Sequence, residues 1–332
     1  MWPLRNGRFF GLQMPVVGYP EPSPNEIFEH VVAAALAAEE AGFATVTVMD
    51  HMHQPLGMGR AEDPVLEAYT LLGAIAARTE KAWLGALATS VSYRNPALLA
   101  KQVTTLDIIS RGRAFLGLGA GWYEDEFTAY GIDFATLPVR RARVKEAVEI
   151  CRAMFAGERP VLDGHEYVVD APLNHPSPIQ GGGLPILLGS SGGPRMIKLI
   201  APLADVVNLT SGVEDLPAHL ELLRTNAGPN GDLVTSAFAT LMVGDSHAEA
   251  ARKRDDFIRR AGLPEWNEFD DAGDFHSRLA QRWIVGTDDE AITRLKAIYD
   301  MGFNGLIVDV RADGLDVDAI RRAGRLLLEA SS

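Results

Sequence analysis

The sequence contains almost no cysteine and carries no excess of positive charge. Cys151 is the single cysteine among 332 residues, so the chain forms no internal disulfide and no cluster of thiolate metal ligands. This usage is typical of the reducing cytoplasm, where we expect the protein to reside. The formal net charge of −13 and the pI of about 5.1 argue against nucleic acid or an anionic membrane as a partner.

Long apolar runs are also missing. No stretch of about 18 apolar residues occurs, and the first residues, MWPLRNGRFFG, lack the apolar core of a secretory signal peptide. We therefore expect neither a membrane span nor a secretory leader. The chain length allows either two ordinary domains or one large α/β barrel.

What the sequence does contain is a regular alternation of apolar runs and helical patterns. The runs are rich in Val, Ile, Leu and Ala without polar alternation, which is typical of parallel strands buried on both faces. A helical segment follows each run. Eight such units predict one (β/α)8 TIM-barrel domain over residues 1–332. The predicted strands are 8–17, 44–50, 83–91, 113–119, 184–190, 205–210, 236–244 and 305–310.

Two insertions interrupt this alternation. Residues 159–180 contain YVVDAP and four prolines, which predict a hairpin that leaves the barrel. Residues 262–276, GLPEWNEFDDAGDFH, are polar and irregular. Each insertion is either a lid or interface segment, or an ordinary surface loop.

The glycines that end the fourth predicted strand do not form a dinucleotide-binding loop. The Rossmann fingerprint is G-x-G-x-x-G, but Trp122 stands where the third glycine is required. In a TIM barrel the active site lies at the carboxyl ends of the strands. Gly119 and Gly121 would let a flat ligand approach the backbone there, whereas Gly117 would make room inside the barrel.

The segment GSSGGP follows the fifth predicted strand and precedes a helix. Its small residues would bring backbone N–H groups and two hydroxyls around one point, which predicts an anion site. A flexible turn is the alternative. The candidate binding residues are Gly189, Ser190, Ser191, Gly192 and Gly193.

The second predicted strand ends in DHMH. An H-x-H pair at a strand end begins the site of metal-dependent TIM-barrel hydrolases, but the later strand ends carry no histidine, so we expect no metal. In the other interpretation Asp50 accepts a hydrogen bond from a ligand and His51 transfers a proton. The pair would otherwise only cap the following loop.

Three segments together resemble the luciferase-like monooxygenase superfamily, and within it the oxidoreductases that use the deazaflavin coenzyme F420. The segments are MDHMHQP, ATSVSYRNPALLAKQVTTLDIISRGRAFLGLGAGWYEDEFTAYG and LLGSSGGPRMIKLIAPLADVVN. The resemblance implies a TIM barrel that holds F420 at its carboxyl end and transfers a hydride to or from a small organic substrate. It places Asp50 near the ring and makes His51 the proton donor. We expect a homodimer.

The resemblance implies further site positions. A non-proline cis peptide would lie beneath the ring at Ser90 and Val91, and the loop 189–193 would hold the cofactor phosphate. Trp122 stands where the sugar-phosphate dehydrogenases of this branch have a glutamate. It would therefore wall the ring, stack on the substrate or pack on the next helix. Glu124 and Gln13 are weaker substrate candidates.

Other functions stay open on the sequence alone. An FMN-dependent monooxygenase of the same superfamily would work with a separate cofactor-reducing enzyme, although Asp50 and His51 favour the deazaflavin. A non-catalytic flavin-binding protein and, more distantly, the metal-dependent hydrolase are the remaining alternatives. The substrate itself is not identified by any motif.

Overall fold

The computed structural model describes residues 2–14, 23–181, 183–228, 233–264, 266 and 275–332. The strands are β1 (Phe9–Gln13), β2 (Thr45–Val48), β3 (Trp83–Ala86), β4 (Thr89–Ser90), β5 (Leu116–Gly119), β6 (Val161–Asp163), β7 (Val168–Asp170), β8 (Ile186–Ser190), β9 (Val206–Leu209), β10 (Val234–Val243), β11 (Trp283–Gly286) and β12 (Gly305–Asp309). The helices are α1 (Pro24–Glu40), α2 (Ala68–Ala76), α3 (Pro96–Ile109), α4 (Glu124–Ala129), α5 (Leu137–Phe155), α6 (Pro194–Ile200), α7 (Leu216–Asn226), α8 (His247–Arg260), α9 (Phe275–Ala280), α10 (Asp288–Asp300) and α11 (Val317–Ala330).

The barrel is a nearly closed parallel sheet. Its strand order is β3-β2-β1-β12-β10-β9-β8-β5-β4, and every neighbouring pair is parallel. β3 and β4 are two halves of one barrel strand. Leu84 of β3 bridges Ala114 just before β5, and Ser90 of β4 pairs with Gly119 of β5, so the two ends of the order meet. The predicted TIM barrel is confirmed.

Burial explains why the apolar runs form this barrel. Every residue of β1, β2, β9 and β12 is buried, as expected for strands covered on both faces. The surrounding helices bury one apolar side, and α1 and α10 each begin with a capping box. The core therefore lies between the barrel and its helices, and the polar strand ends remain available for a site.

One strand was not predicted. β11 pairs in parallel with the carboxyl-terminal half of β10, where Thr240 and Val243 face Trp283 and Gly286. The rest of β10 pairs directly with β12. Four residues beside a polar, irregular segment gave too short a pattern for the sequence to predict. β11 enters the sheet at the carboxyl end of the barrel.

The first insertion is the hairpin that the sequence predicted. β6 and β7 pair antiparallel outside the barrel sheet. The hydroxyl of Tyr167 donates to the main-chain oxygen of Val91, 2.5 Å away, and so ties the hairpin to the barrel. Most of the second insertion, 262–276, and the end of the predicted strand 8–17 lie outside the described residues. In the described part of the chain, no helix is long and apolar enough to cross a membrane.

Candidate functional site

A cavity of about 910 Å³ opens at the carboxyl ends of the barrel strands. This volume is within the range of small-molecule and cofactor sites. It brings together strand ends that are far apart in the chain, including most of the predicted site residues. The predicted residues that line it are Gln13, Asp50, His51, Ser90, Gly119, Gly121, Trp122, Gly189, Ser190, Ser191 and Gly193.

Three predicted residues do not line this cavity. Val91 is buried, and its main-chain oxygen accepts from Tyr167. Glu124 is exposed in the first turn of α4. Gly192 has a φ of +101°, and a Cβ there would collide with the ring of His219 on α7, so the backbone conformation and the packing against α7 require this glycine. These three residues are absent from the cavity lining, and their predicted binding roles stay predictions.

The non-proline cis peptide lies between Leu87 and Ala88, not at Ser90 and Val91 as predicted. Ser90 pairs with Gly119 in the regular ladder, and Val91 N donates to Gly119 O at 3.0 Å. The interruption that separates β3 from β4 comes earlier. Leu87 and Ala88 both line the cavity.

The cavity glycines fall into two groups. Gly121 has a φ of +77°, and a Cβ there would lie 2.5 Å from Ser90 Oγ, so the local fold itself requires glycine. At Gly119 and Gly189 a Cβ would make only ordinary contact with Ala88, at 3.6 and 3.5 Å, and at Gly193 it would meet nothing within 4 Å. Packing does not demand glycine at these three positions. Their missing side chains leave room for a ligand against the backbone.

Among the described residues, two buried amide side chains in the cavity wall each have one polar atom without a hydrogen-bond partner. Gln13 is 3% exposed, and its Oε1 accepts from Thr47 while its Nε2 has no hydrogen-bond partner. Asn208 is fully buried; its Nδ2 donates to Ser236 while its Oδ1 has none. An unsatisfied buried polar atom costs about 1–3 kcal/mol. A heterocycle that offers both an acceptor and a donor would satisfy these two atoms, which fits a deazaflavin or a flavin.

Asp50 is held by an arginine that the sequence analysis did not single out. Arg94 donates through Nη1 and Nη2 to the two carboxylate oxygens, at 2.5 and 3.2 Å, and also pairs with Glu67. Burial raises the pKa of Asp50 above its ordinary value, although Arg94 opposes this effect. Arg94 stands directly before α3, whose start is fixed by the Asn95 cap.

His51 is held by a carboxylate that was also missed. Glu126, fully buried in α4, lies with Oε2 2.8 Å from His51 Nδ1. Its Oε1 accepts from the backbone N–H of Met52 at 2.5 Å, and the Tyr93 hydroxyl donates to Oε2. The loop after β2 is therefore anchored on α4. One ring nitrogen of His51, the proton-transfer candidate, is thus hydrogen-bonded to Glu126.

Trp122 and His53 have different positions around His51. The Trp122 ring is 44% exposed, lines the cavity and meets His51 edge to face, with centroids 6.0 Å apart. It thus forms part of the wall beside His51. His53 stacks against Tyr130 and is not among the cavity-lining residues. Within the described residues, no group of three His, Cys, Asp or Glu side chains is placed to hold a metal ion.

The cavity wall is richer in positive charge than the acidic chain as a whole. Arg311 forms an ion pair with Asp309, and both are buried. Among the described residues, no carboxylate lies within ion-pair distance of Arg282, although the charge of Asp309 acts on it, and its inaccessible Nε donates no hydrogen bond. Burial, and then the charge of Arg311, lower the pKa of Arg282 to about 10. The charged lining residues are Asp50, Arg140, Arg141, Asp215, Arg278, Arg282 and Arg311.

Comparison with known proteins agrees with this geometry. The luciferase-like monooxygenase family model matches residues 10–305. The chain belongs to this family. It is 30% identical over 302 residues to the F420-dependent glucose-6-phosphate dehydrogenase of Microbacterium testaceum, covering 86% of this chain and 87% of that protein. The family resemblance predicted from the sequence is confirmed.

Solved structures with the same fold include an F420-dependent reductase and a monooxygenase. The F420-dependent tetrahydromethanopterin reductase of Methanopyrus kandleri superposes with a TM-score of 0.74 and 20% identity, covering 97% of this chain and 98% of that one. The monooxygenase RslO1 of Streptomyces bottropensis gives a TM-score of 0.76 and 26% identity, covering 98% and 100%. The luciferase-like fold therefore extends over essentially the whole chain.

In this luciferase-like protein, helical phase explains why Glu126 was missed. The sequence GWYEDEF offers three acids after the glycines, and Glu124 was the one chosen. Residues two apart on a helix do not share a face. α4 therefore exposes Glu124 and buries Glu126. The apolar Phe127 beside Glu126, itself fully buried, was the available signal of that phase.

Proposed function

We propose that the protein is an F420-dependent oxidoreductase that transfers a hydride between the cofactor and a small organic substrate. One observation carries the proposal: His51, engaged by Glu126, shares a cavity with backbone left open at Gly119, Gly189 and Gly193. The names of the relatives, F420-dependent glucose-6-phosphate dehydrogenases, support the same cofactor.

The residues of the chain would hold the cofactor through three kinds of contact. Gln13 Nε2 and Asn208 Oδ1 would satisfy polar groups of the ring, because both atoms are buried and unpartnered. Gly119, Gly189 and the intervening Ala88 would lie against its flat face. The loop 189–193 would hold the phosphate, because Ser191 and Gly193 line the cavity.

Proton transfer would be the work of the protein. When bound, F420 supplies the site that gives or accepts the hydride. His51 has Nδ1 occupied by Glu126, so Nε2 is the ring nitrogen free to exchange a proton with the substrate. Trp122, whose ring meets His51 edge to face, would cover one side of His51 when cofactor and substrate are bound.

The charges of the cavity favour an anionic substrate. Arg282 is a partly buried cation whose Nε has no acceptor among the described residues, and such a group is costly unless a counter-ion pairs with it. The relatives are named for a sugar phosphate, which is an anion. We infer that the substrate carries a phosphate or carboxylate group that binds Arg282.

An FMN-dependent monooxygenase is the second candidate. It is favoured by the 26% identity to the monooxygenase RslO1 over 98% of this chain. In that case a separate enzyme would supply the reduced flavin. The Asp50–Arg94 pair and the unpartnered Gln13 and Asn208 do not by themselves distinguish the two cofactors.

Titration of the protein with F420 and with FMN, followed by the fluorescence of each ring, tests the proposal. We expect F420 to bind at least 100-fold more tightly than FMN. A preference for FMN, accompanied by oxygen consumption with reduced FMN, would reverse the assignment. An assay of F420 reduction against a panel of phosphorylated and neutral alcohols then tests the substrate class.

Location and assembly are also proposals. The single Cys151, which is buried, suits a cytoplasmic protein. We propose that the protein is a homodimer. Sedimentation velocity at micromolar concentration checks the assembly: a single species with the 35.9 kDa mass of one chain would contradict it.

A further inference from the structure

Glu126 is a buried carboxylate with an unusual set of partners. Its side chain is wholly inaccessible, and its nearest donors are His51 Nδ1, the backbone N–H of Met52 and the hydroxyl of Tyr93. A buried carboxylate is normally paired with arginine or lysine. Among the described residues, the single group within ion-pair distance of Glu126 that can carry positive charge is His51.

The electrostatics of Glu126 favour its ionised form. Burial raises its pKa, but hydrogen bonds from His51, Tyr93 and the backbone outweigh burial and hold the pKa below its ordinary value. An ionised carboxylate accepts hydrogen bonds and donates none. His51 Nδ1 must therefore carry the hydrogen in the bond with Oε2, which leaves Nε2 as the acceptor of a neutral ring.

We propose that Glu126 is a positioning residue for the proposed reaction: it fixes the Nδ1–H tautomer of His51 and stabilises the ring when Nε2 takes a proton. This inference rests on the proposed function for its chemistry. In the oxidation of a substrate alcohol, the C–H bond breaks and its hydride passes to F420. The O–H proton passes to His51 Nε2, and the resulting imidazolium remains paired with Glu126.

Tyr93 changes the strength of the interaction between Glu126 and His51. Its hydroxyl donates to the same oxygen, Oε2, that lies 2.8 Å from His51 Nδ1. The hydroxyl withdraws negative charge from that oxygen and so weakens its hold on an imidazolium. The two neighbours of His51 thus act in opposite directions: Glu126 favours the protonated ring, and Tyr93 opposes it.

The decisive experiment compares Glu126→Gln and Tyr93→Phe in protein labelled with ¹⁵N at histidine. The imidazole ¹⁵N–¹H spectrum of His51 reports its tautomer without any cofactor, with His51→Asn used to assign the signals. We expect Nδ1–H in the wild-type protein and a loss of that preference in Glu126→Gln. Persistence of the Nδ1–H tautomer in Glu126→Gln would overturn the proposal even if turnover fell.

The pH profile of single-turnover F420 reduction supplies a second readout. Glu126→Gln should lower the rate roughly 10²–10⁴-fold, with F420 affinity within about twofold of wild type. Its acidic limb should move to lower pH because the carboxylate that stabilises the protonated ring is gone. Tyr93→Phe should move the limb to higher pH. If Glu126 and Tyr93 had a merely structural role, both variants would move the acidic limb of the pH profile in the same direction, or the single-turnover rate and the F420 affinity would fall together.

These readouts separate this inference from the proposed function. If the wild-type protein fails to bind F420, the proposed function fails, whereas the His51 tautomer still tests the role of Glu126. If Glu126→Gln does not fold, Tyr93→Phe keeps the inference testable, because it leaves the bonds from His51 and Met52 in place. An unmoved pH limb in Tyr93→Phe, with F420 bound normally, would then refute it.

Discussion

Arg282 provides the sharpest test of the site, because substitution should improve stability while it damages binding. Burial, and then the charge of Arg311, lower the pKa of Arg282 from its ordinary value to about 10. Each pKa unit corresponds to about 1.4 kcal/mol, so keeping the guanidinium charged costs the folded state about 3 kcal/mol. A base with a lowered pKa in the folded state carries this cost at every pH below about 10, and the cost is lost as the pH rises from there to the ordinary pKa of arginine.

Arg282→Met should therefore raise the free energy of unfolding at pH 7. The Arg282 guanidinium lies 5.8 Å from the centroid of the Phe238 ring, and losing this cation–π contact offsets about 1 kcal/mol. We expect a net stabilisation of about 1–2 kcal/mol in urea denaturation. The same variant should bind an anionic substrate about 100-fold more weakly, with F420 affinity unchanged.

Arg311→Met is the matched control, because it removes a buried arginine of the same cavity that does have a carboxylate. Asp309 would be left buried and unpaired, which costs about 3–5 kcal/mol. The two substitutions should thus change stability with opposite signs. Equal destabilisation by both would show that Arg282 is paired in solution, and the inference of an anionic substrate would fall with it.

The remaining predictions concern the loop and the two histidines. Gly193→Asp should abolish cofactor binding without loss of stability, because a Cβ there meets nothing within 4 Å; Gly192→Asp should instead destabilise the fold by collision with His219. Urea denaturation measures the stability of both variants, and F420 titration measures their cofactor affinity. Normal F420 affinity in Gly193→Asp would show that the loop does not bind the cofactor. His51→Ala should lower turnover roughly 10²–10⁴-fold, whereas His53→Ala should have little effect, because His53 lies outside the cavity lining. Single-turnover rates of the two variants test this prediction. A larger loss of rate in His53→Ala than in His51→Ala would reopen the metal interpretation.

The barrel could be predicted from the sequence because its signal is local. Each strand is a continuous apolar run, and each run is followed by a helix within the same short segment. β11 and α4 escaped because four and six residues are too few for a periodic pattern. Both short elements position residues of the site: α4 contains Glu126, and Arg282 immediately precedes β11.

The charge pairs of the site could not be predicted, because they join distant parts of the chain. His51 and Glu126 are 75 residues apart, and Asp50 and Arg94 are 44 apart. The position at a strand end identified Asp50 and His51. Their partners could not be identified in this way, because the position of each partner depends on which face of a helix it occupies and on the path of the loop that precedes that helix. The choice of Glu124 over Glu126 shows how one residue type at nearly the right position can still face the wrong way.

The arrangement of charge separates proton transfer from substrate recognition. Near the ends of β2 and β5, each buried carboxylate has its own partner: Asp50 pairs with Arg94, and Glu126 hydrogen-bonds to His51. Beside β11, Arg282 adds a cation to the balanced pair of Arg311 and Asp309, so that side of the cavity carries a net positive charge. A substrate anion that pairs with Arg282 would be drawn to this side of the cavity. Its other end would then lie toward His51, so recognition of the anion would also orient the reacting carbon.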